Sequence, residues 1–168
     1  IPFVGETKDG TVNSHFGYIF NADTYSDNNK FVPKSLKEVI ISGGTTIGGY
    51  AFTNCTNIES VTISECINLI GIYVFSNCAN LKEVKFNGNS QLTSIGDSAF
   101  TKCDNLKEII ISSSVDNIGK YAFKDCTSLK EVYFDDGSQL ESIGTQTFYG
   151  CTSLENIIIP NSVIIIGD

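Results

Sequence analysis

The dipeptide Ile-Gly recurs at Ile47, Ile70, Ile95, Ile118, Ile143 and Ile166, at intervals of 23, 25, 23, 25 and 23 residues. Five residues after the first five of these stand Phe52, Phe75, Phe100, Phe123 and Phe148. Three further on come Cys55, Cys78, Cys103, Cys126 and Cys151, and three more bring Ile58, Leu81, Leu106, Leu129 and Leu154. Then follow Val61, Val84, Ile109, Val132 and Ile157, and two later Ile63, Phe86, Ile111, Phe134 and Ile159. An incomplete unit precedes them, with Leu36, Val39 and Ile41 in the later columns and Pro33 where Cys would stand. Such a chain cannot bury the apolar face of one unit alone. It must stack unit on unit.

Each unit changes period internally. Leu-x-x-Val-x-Ile ends in alternation, the mark of a strand with one buried face. Ala51, Phe52 and Cys55, or Ala122, Phe123 and Cys126, share one side of a short helical turn. The segments between strand and Ile are rich in Gly, Ser, Asn and Asp, which favour turns. The reading is an α/β repeat solenoid with a parallel β-sheet on one face and short helices or 3₁₀ turns on the other. An apolar residue stands three before the Ile in both kinds of unit, at Ile67, Leu92, Val115 and Leu140, and the two extra residues of the long units fall before it, so they belong in one surface loop.

The pattern Leu81-x-x-Val84-x-Phe86-x-x-Asn89-x-x-Leu92 resembles a leucine-rich repeat. Ile159-Pro160-Asn161-Ser162-Val163-x-x-Ile166-Gly167 and Ile118-Gly119-x-x-Ala122-Phe123-x-x-Cys126-x-x-Leu129 are similar to the two halves of its BspA-type subclass. The resemblance covers about residues 33–168. Departures are Val74 and Thr147 in the Ala column and Pro33 in the Cys column. It implies a right-handed superhelix in a cell-surface or secreted protein, of a kind common in host-associated bacteria and found in some protists. It also implies adhesion or binding to host or neighbouring-cell proteins.

Residues 36–168 are assigned to repeats of 23 and 25 residues, the last cut at Ile166-Gly167-Asp168, and the chain reads as a piece of a larger protein. Residues 1–35 form either an elongated, irregular unit or a cap. In the first case Ile1-Pro2-Phe3-Val4 supplies a strand, and Phe16-Gly17-Tyr18-Ile19-Phe20 supplies the Ile-Gly and Phe columns. Polar segments, Glu6 to Ser14 and Asn21 to Lys30, lie between and after them.

Composition narrows the chemistry. Eleven positive charges, all Lys, stand against 19 acidic residues, for a net charge of −8. Without Arg forks or a basic surplus, phosphate neutralisation is weak, which disfavours nucleic acid and anionic membranes alike. Apolar runs reach only four or five residues, so none spans a bilayer. Five of the six Cys fall in one inward column with Phe and Leu and read as free buried thiols. Rungs about 4.8 Å apart place Cα atoms within disulfide range, but all five side chains point the same way. Cys66 stands outside the column, in a turn, and is the thiol expected to react.

No Cys-x-x-Cys or Cys/His pairing suggests zinc. His15, next to Ser14, lacks an orienting carboxylate for nucleophilic catalysis and reads as a surface residue. Ala22 to Asn29 offers oxygen ligands but lacks the Gly and terminal Glu of a calcium loop and reads as a solvated polar loop. Asn54-Cys55-Thr56 matches a glycosylation sequon but sits at a core column. Ser42-Gly43-Gly44-Thr45-Thr46 is no phosphate loop. No cofactor is expected.

The outward side of the sheet is the candidate binding face. Its middle column reads Ile40, Thr62, Lys85, Ile110, Tyr133 and Ile158, beside a column that includes Glu83, Glu108 and Glu131. Aliphatic and aromatic residues next to carboxylates suit a protein ligand, though β-branched and aromatic residues also simply suit strands. Three functions fit. The first is a non-enzymatic protein-binding module. The second is a structural spacer that holds another domain away from the cell. The third is an enzyme with its site in residues 1–35.

Overall fold

The computed structural model describes residues 16–20 and 22–168. The proposed strand at 1–4, the polar segment from Glu6 and the Ser14–His15 pair lie outside them.

Twelve strands are present among the described residues: β1 (Glu38–Ile41), β2 (Thr46–Ile47), β3 (Ser60–Ile63), β4 (Leu69–Ile70), β5 (Glu83–Phe86), β6 (Ser94–Ile95), β7 (Glu108–Ile111), β8 (Asn117–Ile118), β9 (Glu131–Phe134), β10 (Ser142–Ile143), β11 (Asn156–Ile157) and β12 (Ile165–Ile166). All pairing is parallel, and each unit stacks on the next as one rung of a solenoid. The odd-numbered strands carry the Val-x-Ile alternation, with Val39 and Ile41, Val61 and Ile63, and Ile109 and Ile111 buried.

The even-numbered strands form a second sheet, six strands wide, along the Ile-Gly column. The turn-rich composition of these segments pointed to turns alone. The glycines permit the close stacking of this sheet. A β-carbon on Gly96 would lie 2.6 Å from the carbonyl carbon of Gly71, and one on Gly144 2.5 Å from the Lys120 amide nitrogen. No side chain fits between rungs at those positions.

The third side, where short helices or 3₁₀ turns were expected, consists of turns closed by bonds three residues apart. Alternate amides serve different rungs. Ala51, Thr53 and Cys55 donate to Gly48, Tyr50 and Phe52 of their own unit at 3.3, 3.1 and 3.1 Å. Tyr50, Phe52 and Asn54 donate to Ile72, Val74 and Ser76 of the next unit at 2.9, 2.8 and 2.9 Å. A helix spends every amide within its own segment, so it cannot supply this ladder. The alternation requires left-handed backbone twice per unit: Tyr50 and Asn54, Tyr73 and Asn77, Ser98 and Lys102, Tyr121 and Asp125, Gln146 and Gly150. Asn, Asp and Gly tolerate that conformation best.

Inside, the Phe column is a stack of rings. Phe52, Phe75, Phe100, Phe123 and Phe148 follow one another at centroid distances of 5.2–5.6 Å, within 18° of parallel. The Cys column lies beside it, all five thiols free and buried, while Cys66 is exposed. The thiols of Cys78, Cys103, Cys126 and Cys151 each donate to the Phe carbonyl one unit earlier, at 3.1–3.3 Å.

The stack extends into the N-terminal segment. Phe16 packs on Phe52 with centroids 4.8 Å apart, and its amide donates to the Ala51 carbonyl at 2.6 Å, as the later Phe amides do across their rungs. Phe16 thus occupies the Phe column; the sequence pattern had placed it in the Ile-Gly column. The Leu36 amide donates to Pro33 at 2.9 Å, which puts Pro33 at the Cys position as expected. The residues between form 3₁₀ turns at Phe16–Phe20 and Tyr25–Asp27 and a single α-helical turn at Asn28–Phe31. Buried Asn28 ties this segment down: it accepts from the Gly17 amide at 3.0 Å and donates to the Thr53 carbonyl at 2.7 Å.

Candidate functional site

Strand alternation decides what the solenoid shows on its β1–β11 side. Because Val84 and Val132 are buried, Glu83 and Lys85, and Glu131 and Tyr133, project outward from β5 and β9. Ile40 is 61% exposed, Ile110 50%, Tyr133 47% and Ile158 84%. Lys85, Glu83 and Glu108 are exposed as well, whereas Thr62 and Glu131 are half-buried. The parallel register aligns Ile110 with Tyr133 and Glu108 with Glu131.

The charges along this side are partly internally satisfied. Lys85 pairs with Glu83 at 2.9 Å. Glu59 bridges Lys82 at 2.7 Å and Lys37 at 3.1 Å, and these two lysines hold its carboxyl below the usual range. Tyr133 donates its hydroxyl to Glu131, and that hydrogen bond raises the pKa of the phenol. Among the described residues neither Glu108 nor Lys107 has an ion-pair partner. Exposed pairs of this kind contribute little to stability.

The face is not one continuous sheet, as the sequence columns suggested. It is two three-stranded sheets, β1-β3-β5 and β7-β9-β11. Between β5 and β7 the ladder is broken, and a cleft of about 760 Å³ opens there, bounded by Lys85, Phe86, Lys107 and Ile110. A second cleft of about 510 Å³ opens between β9 and β11, where pairing stops at Ile157 opposite Val132. Both clefts follow a Phe-bearing strand of a 25-residue unit. Phe86 and Phe134 are half-buried, in a column where Ile63 and Ile111 are buried. The loop that follows each of these strands is the one lengthened by two residues. The signal was visible in sequence, as the alternation Ile63, Phe86, Ile111, Phe134, Ile159 in step with 23 and 25.

The other candidates remain apart from this face. In the Ala22–Asn29 segment Thr24 bonds Ser26 and Asp27, Lys30 pairs with Asp27 at 2.7 Å, and Asn28 is spent on Gly17 and Thr53. No group of three metal-ligating side chains occurs among the described residues. No helix among them is long and apolar enough to cross a membrane. The sequon residue Asn54 accepts a bond from Asn77 of the next unit at 2.6 Å.

Comparison with known proteins agrees with this architecture. A family model for the BspA type leucine rich repeat region matches residues 45–168 in six copies. Among solved structures, the pneumococcal vaccine antigen PcpA superposes with a TM-score of 0.67 at 27% identity, over 80% of this chain and 37% of that one. A leucine-rich repeat protein from Bacteroides ovatus gives 0.57 at 29% identity, over 72% and 36%. A leucine rich cell surface protein from Faecalibacterium prausnitzii gives 0.55 at 28%, over 77% and 43%. The chain therefore spans well under half the length of these relatives. Among curated protein sequences no match was found.

Proposed function

We propose that this chain, which belongs to the BspA-type leucine-rich repeat family, is a non-enzymatic protein-binding module of a cell-surface or secreted protein. Its recognition face is the side built by β1 to β11, and its role is adhesion to a host or neighbouring-cell protein. The observation that carries the reading is the exposed Ile110–Tyr133 pair, aligned across two rungs beside Glu108 and Glu131. Such a pair also supports its strands, but an interface uses large exposed apolar groups of this kind as anchors within a polar rim. The surface setting is supported by relatives whose names place them on cells or among antigens.

In this reading the rungs wind as a right-handed superhelix, as parallel crossovers do. Residues 16–35 are an elongated unit: Phe16 and Pro33 hold its Phe and Cys columns, and the turns between them cover the first rung. The test is a hydrogen-exchange footprint of the chain with a captured partner. Protection is expected at 108–111 and 131–134. Protection confined to the turn side, at 119–126, would overturn the reading.

A spacer role is favoured by one feature, the unbroken stack from Phe16 to Phe148, which makes a stiff rod. If the isolated chain binds nothing while flanking domains retain binding, the spacer reading stands.

A further inference from the structure

The two clefts are the same architectural position repeated after 48 residues, and their chemistry differs. Phe86 corresponds to Phe134, Lys85 to Tyr133, Asn87 and Gly88 to Asp135 and Asp136, and Ser112 to Pro160. The first cleft is electrically balanced, with three lysines facing Glu83, Glu108 and Asp135. The second has three charged residues in its wall, Glu131, Asp135 and Asp136, and every one is acidic. Since the fold accepts Asn and Gly at the equivalent positions, the carboxylates of Asp135 and Asp136 are not needed to form the cleft.

Two further observations concern the same cleft. Tyr133 and Phe134 pair with β7 on one side but have no strand partner on the β11 side. Ser162, in the wall, has a buried hydroxyl with no hydrogen-bond partner. Its counterpart Ser114 spends that hydroxyl on the carbonyls of Ser90 and Leu92, at 2.9 and 2.8 Å. The cleft thus combines an aromatic surface, an unpaired strand edge and a wall whose charged residues are all acidic.

We infer that the cleft between β9 and β11 receives an extended, arginine- or lysine-bearing segment of a protein partner. The cationic side chain lies against Tyr133 and is neutralised by Asp135, Asp136 and Glu131. The segment's backbone meets the free edge at Tyr133 and Phe134. Carboxylates beside an aromatic ring are the complement of a guanidinium or ammonium group, and an unpaired strand edge takes main-chain bonds from an extended peptide.

The inference rests on the strand-side reading above. It is tested on the full chain with acetyl-Ala-Arg-Ala-amide, followed by two-dimensional ¹⁵N–¹H NMR at low salt. The Gln and Glu versions of the peptide are the comparison. The Arg peptide is expected to shift amides clustered at 131–138 and 156–162, saturably, with the Gln and Glu peptides silent. Asp135→Asn/Asp136→Asn should weaken binding at least fivefold, with Asp104→Asn, a remote exposed acid, as control. Thermal melts verify that both variants are folded, and Tyr133→Leu serves as a second cleft variant. Shifts scattered over all carboxylates, equal shifts with the Gln peptide, or no loss in Asp135→Asn/Asp136→Asn would overturn the inference. A captured protein partner that depends on Tyr133 but not on Asp135 and Asp136 would remove this inference and leave the strand-side reading standing.

Discussion

The thiol of Cys126 donates to the carbonyl of Phe100, one rung earlier, at 3.1 Å. That oxygen also receives the Cys103 amide of its own unit at 3.2 Å. The Cys column is therefore more than a small apolar filler: the sulfurs of Cys78, Cys103, Cys126 and Cys151 repeat a weak bond between rungs, which they can make only as thiols.

Labelling follows from this geometry. In the folded chain only Cys66 should react with iodoacetamide at pH 8. All six should react after unfolding without reductant. Mass spectrometry showing a native disulfide among Cys55, Cys78, Cys103, Cys126 and Cys151 would contradict the structure. Stability should also respond to alkaline pH. Burial pushes the Cys78 thiol from 9.0 up to about 12, and raises Cys55 and Cys103 in the same direction. The unfolded chain is then the better acid. The stability tied to the neutral thiol is complete below pH 9 and is lost as pH rises toward about 12. In that window stability should fall with rising pH, and more steeply with Cys78 present than without it. Urea unfolding at pH 8.5, 9.5 and 10.5 in reductant, repeated with Cys78→Ala, measures it: the variant should show a shallower decline, and an equal slope would contradict the assignment.

Phe123 sits between Phe100 and Phe148, at 5.2 and 5.6 Å, and is fully buried. Phe123→Ala should cost about 3–5 kcal/mol by chemical denaturation, because it removes the ring and leaves a cavity between two flat neighbours. Each rung is held by its neighbours, so exchange protection should fall first in the adjacent units. A loss under about 1 kcal/mol would mean that the column does not bear the core.

Lys102 occupies a left-handed position, φ +59°, where the other units place Asn54, Asn77, Asp125 and Gly150. A side chain costs about 1–2 kcal/mol in that conformation, although glycine returns part of this as unfolded-state entropy. Lys102→Gly should therefore raise stability by roughly 0.5–1 kcal/mol. A drop in the thermal midpoint would show that the Lys102 side chain contributes contacts that outweigh the backbone strain.

The columns were legible because burial repeats. Val61, Ile63, Phe52 and Cys55 are selected by one environment in every rung, so five copies reinforce each reading. What escaped was set by backbone. The Ile-Gly strands are two residues long, too short for alternation to register, and their glycines answer to a close approach between rungs that has no trace in hydropathy. The turn side mimicked a helix because Phe52 and Cys55 share a face in either conformation; the alternating amide bonds that exclude a helix involve no side chain. Period alone turns Ile40, Lys85, Ile110 and Tyr133 outward from their strands, while Thr62 is half-buried and Ile158 lies just past the end of β11. The clefts that divide them follow from broken pairing after β5 and β9, which leaves the alternation of side chains along each strand unchanged.

The central claim is that recognition belongs to the strand side, with Tyr133 at its centre. The most direct measurement is the Kd of a captured partner for the unaltered chain, for Tyr133→Ala and for Lys120→Ala on the opposite, turn side. Tyr gives wide contact area at low entropy cost, and hot-spot truncation costs about 2 kcal/mol or more, so Tyr133→Ala should raise Kd about 30-fold or more. Its unfolding curve should barely move, because the ring is 47% exposed. Lys120→Ala should bind as the unaltered chain does. Loss of binding in Lys120→Ala with full affinity in Tyr133→Ala would contradict the claim and move recognition to the turn side.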